Sequence, residues 1–175
     1  DASPLSHTFT VEDSFSVPFG TDEFRRYTGS GTANDPFIIR NIYDLQAVKS
    51  NLTSHFRLSD DLLNGVLNAS AAADWNDNAG FDPIGDLGHA FTGSLNGNGK
   101  VISNLEIDRA GTDYLGLFGN IGASGSISNL GLESVSIYGH DYVGGLAGLN
   151  AGSLANVYTT GIHTVSGTTY VGGLT

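Results

Sequence analysis

Tyr114-Leu115-Gly116-Leu117-Phe118-Gly119, Tyr142-Val143-Gly144-Gly145-Leu146-Ala147-Gly148 and Tyr170-Val171-Gly172-Gly173-Leu174-Thr175 are three versions of one text, with the tyrosines 28 residues apart. A second block recurs with them: Ile102-Ser103-Asn104-Leu105, Ile127-Ser128-Asn129-Leu130 and Leu154-Ala155-Asn156-Val157. A fixed period of this length marks a repeat architecture. A unit so short cannot bury its own apolar side and must stack on its neighbours.

The unit reads as strand. Leu130 and Leu132 share one face, with Gly131 opposite. Ile127 lies three positions before Leu130 and reaches that face only if the chain bends at Ser128-Asn129. Val135 and Ile137 alternate again, out of phase with Leu132, which puts a second bend at Glu133-Ser134. A helix is disfavoured by recurrent glycine and by the lack of an i, i+3, i+4, i+7 stripe. Short strands separated by corners at fixed period predict an all-β, right-handed parallel β-helix (β-solenoid). The hand follows the general preference for right-handed crossovers.

Stacking predicts which residues meet. Successive coils bring equivalent positions about 4.8 Å apart. Ile127 is expected over Ile102 and under Leu154, with Asn104, Asn129 and Asn156 forming an amide ladder at one corner. The expected core is Ile102, Leu105, Ile107, Ile127, Leu130, Leu132, Val135, Ile137, Leu146, Leu154, Val157 and Ile162. Residues 29–175 would make roughly four to five coils. Residues 1–28, with Phe9, Val11, Phe15, Val17 and Phe19 alternating, read as an N-terminal cap or lead-in segment. Asn41 is an N-cap candidate, and Ile42, Leu45, Val48 and Leu52 are spaced along one helical face. These predict one short helix over about 43–52. Residues 64–90, rich in Asn, Asp and Ala, read as a long excursion from the coil.

The stretch from Val143 to Val157 resembles the GLUG repeat, and Phe91 to Leu105 is similar to the coil that usually precedes it. The resemblance covers roughly 29–175 and implies a segment of a secreted or surface-attached bacterial protein. Such repeats occur in adhesins, haemagglutinin-like exoproteins and the non-catalytic region of IgA-cleaving metallopeptidases. The motif carries no catalytic residues of its own.

Composition narrows the partners. The net charge is −11, which repels nucleic-acid phosphates and anionic membrane. No apolar run is long enough for a membrane-spanning helix. With no cysteine, a disulfide framework and a thiolate zinc site are both excluded. Absence of methionine suggests that the sequence starts inside a longer reading frame, and Leu174-Thr175 stop early in a fresh coil. The first suggests a removed signal peptide or a fragment, and the second a piece of a longer protein. Its outer strand edge would then favour weak end-to-end self-association.

Candidate sites are few. His7, His55, His89, His140 and His163 lack the i, i+4 spacing of a zinc peptidase. Asp113 and Asp141 precede Tyr114 and Tyr142 at equivalent positions; stacked, they repel unless a cation such as calcium lies between them. Thr169 replaces the acid in the third copy, so exposed loop acids are the plainer reading. Together with Asp108, these are the carboxylates a polysaccharide-cleaving β-helix would use. Trp75, among Asp74, Asn76, Asp77 and Asn78, would either stack on a sugar ring or pack back beside Phe81 and Ile84. No cofactor is implied beyond calcium at that pair. The leading expectation is a non-catalytic structural or adhesive segment, secreted or on the bacterial surface, with a glycan or protein partner. The alternatives are a carbohydrate-binding or carbohydrate-active β-helix and a passive stalk of a large secreted protease.

Overall fold

The structure, a computed structural model, describes residues 27–63, 76, 79–161 and 163–175. The expected N-terminal segment up to residue 26, Trp75 and Ile162 lie outside the described residues.

The described chain is mostly strand, and every ladder between named strands is parallel. The largest sheet orders β1 (Phe37–Ile39), β2 (His55–Leu58), β3 (Ser94–Ser103), β6 (Ser126–Glu133) and β10 (Ser153–Thr160) side by side. A second sheet stacks β4 (Glu106–Asp108), β7 (Ser136–Tyr138) and β11 (Thr164–Ser166). Two pairs complete the set: β8 (Asp141–Gly144) with β12 (Thr169–Gly172), and β5 (Phe118–Ile121) with β9 (Ala147–Asn150). Each sheet therefore gathers equivalent strands from successive repeats.

The parity argument holds at both corners. Asn129 (φ 51°) and Ser134 (φ 52°) occupy the left-handed region. One left-handed residue turns the chain enough to bring Ile127 and Leu130 to the same inner face, and both are buried. Asn is among the few non-glycine residues that tolerate this conformation.

The stacking partners differ from expectation in one register. Leu95, not Ile102, pairs with Ile127, which in turn pairs with Leu154. Ile102 pairs with Leu132, and Ser103 with Glu133. The text Ile-Ser-Asn-Leu at 102–105 therefore belongs to the second corner, where Asn104 (φ 56°) matches Ser134 and Gly161 (φ 83°). Both corners need a residue that accepts positive φ, so both attract similar text. A bulge between Asn96 and Lys100 restores alignment, with Asn98 (φ 56°) and Gly99 (φ 73°) at its tip.

Nine of the predicted core residues, Ile102, Leu105, Ile107, Ile127, Leu130, Leu132, Val135, Ile137 and Leu146, are buried. Leu154 and Val157 are only partly buried, because β10 is the outer strand of its sheet and has a neighbour on one side alone. An aromatic run was not foreseen. Tyr27, Phe37, Phe56, Phe91 and Phe118 continue one another at centroid distances of 5.0–6.4 Å. The Tyr27 hydroxyl donates to the Asp44 carbonyl at 2.7 Å.

The predicted helix is present but shorter. Helix α1 spans Ile42–Ala47, and a 3₁₀ turn follows at Val48–Ser50. Asn41 caps it, accepting from the Asp44 N–H at 2.9 Å, while the Asp44 carboxylate accepts from the Arg40 N–H. Ile42, Leu45 and Val48 face the core. The end of the expected excursion is not an excursion. Residues 79–91 return to the stack, with Ile84 bridging to Phe118 and Phe91 to Ile121. Gly80 (φ 72°) allows that return, since a Cβ there would lie 2.3 Å from the Glu106 carbonyl oxygen.

Candidate functional site

Tyr114, Tyr142 and Tyr170 stand in one column. Their rings are 4.7 and 4.5 Å apart and within 9° of parallel. All three backbones are left-handed, at φ 59°, 59° and 54°. For a bulky residue this conformation is uncommon and costs roughly 1–2 kcal/mol. The two ring contacts contribute about 0.5–1.5 kcal/mol each beyond burial and offset part of that strain. The 28-residue spacing of the tyrosines was plain in the sequence; their left-handed backbone was not.

The acids before the tyrosines form a ladder of their own. Asp113 Oδ1 accepts from the Asp141 N–H at 3.1 Å, and Asp141 Oδ1 accepts from the Thr169 N–H at 3.0 Å. Each carboxylate thus satisfies a backbone donor one repeat further on. His140 joins them: its Nδ1 is 2.7 Å from Asp113 Oδ1 and 3.8 Å from Asp141 Oδ2. One ligand atom from each of Asp113, His140 and Asp141 falls within 4.8 Å of the others. Sequence reasoning identified the two acids and missed the histidine. His140 has threonines, Thr112 and Thr168, at its equivalent positions, so the repeat gave no signal for it.

The electrostatics follow from contact. The hydrogen bond to Asp113, reinforced by the charge on Asp141, raises the His140 pKa above its ordinary value. The same hydrogen bond holds the Asp113 carboxyl below its ordinary value. When protonated, His140 brings a positive charge within 2.7 Å of Asp113 and 3.8 Å of Asp141, the pair where the sequence reading expected calcium. A nitrogen ligand also suits transition metals better than calcium, which prefers oxygen. Asp108 ends β4, exposed, and is not part of the cluster.

Beside Asp113 and Tyr114 lies a cavity of about 530 Å³. The 3₁₀ turn contributes Lys49, the returning segment contributes Asp82 and Asp86, and the chain after β4 contributes Arg109. Gln46 fixes residue 82 by two hydrogen bonds, donating to its carbonyl and accepting from its N–H. The Asp82 carboxylate lies between Lys49 and Arg109, paired closely with the first and 3.5 Å from the second. Burial lowers the Lys49 pKa, and the Arg109 charge lowers it further. Burial also lowers that of Arg109.

No known family model matches the chain. Its sequence is 43% identical over 172 residues to halomucin from Haloquadratum walsbyi, covering 95% of this chain and 2% of that protein. It is 36% identical over 135 residues to a provisionally named Gly-rich membrane protein from Evansella cellulosilytica, covering 74% of this chain and 15% of that one. The chain therefore spans a small fraction of the length of these relatives. Among solved structures it is similar to a provisionally assigned immunoglobulin A1 protease from Bacteroides ovatus. The TM-score is 0.51 at 22% identity, over 77% of this chain and 40% of that one. At that identity the likeness concerns the fold. No helix of the described residues is long and apolar enough to cross a membrane.

Proposed function

We propose that the chain is a segment of a right-handed parallel β-helix of the GLUG type that serves a long secreted or cell-surface protein as a non-catalytic structural or adhesive element. The observation that carries this reading is the register. Equivalent strands stack in parallel across every sheet, and equivalent side chains stack with them. Such a repeat grows by adding coils and presents a long face, which suits a spacer or an adhesive surface. The names of the relatives, a mucin-type name and a membrane protein, support a surface location. The solved neighbour supports the fold and leaves a protease stalk as the second reading.

The reading needs no cofactor and no catalytic group. The charge of −11 disfavours nucleic acid as partner and leaves glycan or protein. Antibodies raised against the purified chain test the location. They should label intact cells of the source organism. Labelling that appears only after lysis would contradict the proposal.

A further inference from the structure

We propose that the cavity beside Tyr114 is a binding site for a neutral sugar ring, stacked on the tyrosine and held by Arg109, Asp82 and Asp86. The inference rests on the geometry of the cavity and does not depend on the location proposed above.

The volume, about 530 Å³, lies within the range of small-molecule sites. Its walls are held in place before any ligand arrives. Gln46 clamps residue 82, and Asn120 donates to the Asp86 carbonyl at 3.1 Å. The Asp86 carboxylate is fixed by the Gly88 and His89 N–H groups.

One face of the Tyr114 ring is covered by Tyr142. Tyr114 lines the cavity together with Asp82, Pro83 and Asp86 of the segment whose Ile84 bridges to Phe118. A wall that mixes Tyr114, Leu52, Pro83 and Leu87 with charged side chains suits a ring with an apolar face and a hydroxylated edge. The strained backbone at φ 59° keeps the tyrosine in that position.

The polar groups select the ligand class. The Arg109 guanidinium lines the cavity, with Nη2 3.5 Å from Asp82 Oδ1, and supplies donors for a ligand oxygen. Asp82, Asp86 and Asp113 offer acceptors for hydroxyl protons. Three carboxylates against Lys49 and Arg109, in a chain of charge −11, oppose an anion. Lys49 and Arg109 both already pair with Asp82, so a cation entering there would meet two positive groups. A neutral ring that both donates and accepts is what remains.

Heteronuclear NMR titration of the full 175-residue chain tests this. The probes are the methyl glycosides of glucose, galactose, mannose and N-acetylglucosamine, with methyl glucuronide and inorganic phosphate as anionic arms. At least one neutral glycoside should shift the Arg109 Nε–H and the Tyr114 amide saturably. Tyr114→Gly, which accepts positive φ without strain, should weaken binding by about tenfold. Tyr170→Gly, at the far end of the column, should leave it unchanged. Should Tyr114→Gly fold poorly, Arg109→Gln replaces it, with the same expected loss. No saturable shift with any neutral glycoside, binding of the anionic probes alone, or equal affinity in Tyr114→Gly would each overturn the proposal.

Discussion

Asn156 Nδ2 donates to Asn129 Oδ1 at 3.0 Å, and Asn129 Nδ2 in turn donates to Asn96 Oδ1 at 3.2 Å. Three repeats are thus joined at one corner by side-chain amides, beside the backbone ladders. The central residue holds φ at 51°, so one side chain both permits the bend and ties it to its neighbours.

Replacing Asn129 separates those two roles. Asn129→Gly loses the amide bonds, at about 0.5–1.5 kcal/mol each, but keeps easy access to positive φ. Asn129→Ala loses the same bonds and adds roughly 1–2 kcal/mol of backbone strain. Urea denaturation should rank wild type above Gly and Gly above Ala. Equal midpoints for the two variants would remove the left-handed bend from the explanation.

The ladder shows what was legible in the sequence. The slip in parity around Ile127, Leu130 and Val135 located both bends, because a buried face tolerates no other phase. The identity of the stacked partners was harder. Asn104 was expected in the ladder and sits at the other corner, since any residue tolerant of positive φ serves at either. The true partner, Asn96, lies in a copy lengthened by the Gly97-Asn98-Gly99 bulge, which text alignment cannot place. The cavity was illegible for a different reason. Lys49, Asp82 and Arg109 come from segments outside the clear repeats and meet Tyr114 only through the fold.

Burial depth predicts unequal costs for two leucines on the adjacent strands β6 and β10. Leu130→Ala removes a side chain with no exposure and should cost about 2–5 kcal/mol. Leu154→Ala, only partly buried at the outer strand, should cost clearly less. Thermal and chemical melts of both variants check the order, and a Leu130→Ala melt matching the wild type would refute the assigned face.

The Asp113–His140 pair predicts a pH dependence. His140 has a raised pKa in the fold, so its contribution is complete below the ordinary imidazole value and is lost as pH rises through the raised one. Asp113 has a lowered pKa, so its contribution is complete above the ordinary carboxylate value and is lost as pH falls through the lowered one. The pair therefore supports the fold most from the upper end of the carboxylate range to the ordinary histidine range. His140→Gln should remove the alkaline-side loss of melting temperature. Calcium should leave the wild-type melt unchanged near neutral pH, and a large calcium-induced rise would mean that the carboxylates seek a metal instead.

β10 is the outer strand of the five-stranded sheet, pairing with β6 on one side. A parallel edge of this kind is a template for another chain. The negative charge opposes contact, but salt screens it beyond about 8–10 Å. Sedimentation velocity should show a monomer at low concentration and weak self-association promoted by salt. A strictly monomeric profile at high salt and high concentration would contradict the open edge.

Disulfide trapping of the strand register tests the β-helix account most directly, and a chain without cysteine is suited to it. Ser94 and Ser126 are paired across β3 and β6, whereas Ser103 pairs with Glu133 and lies far along the strand from Ser128. Ser94→Cys with Ser126→Cys should oxidise to one intramolecular bond with a native melt. Ser103→Cys with Ser128→Cys, the pair that textual alignment of the repeats would join, should stay reduced under the same conditions. The reverse pattern, or cross-linking of neither pair, would contradict the stacked parallel register on which the fold, the tyrosine column and the cavity all depend.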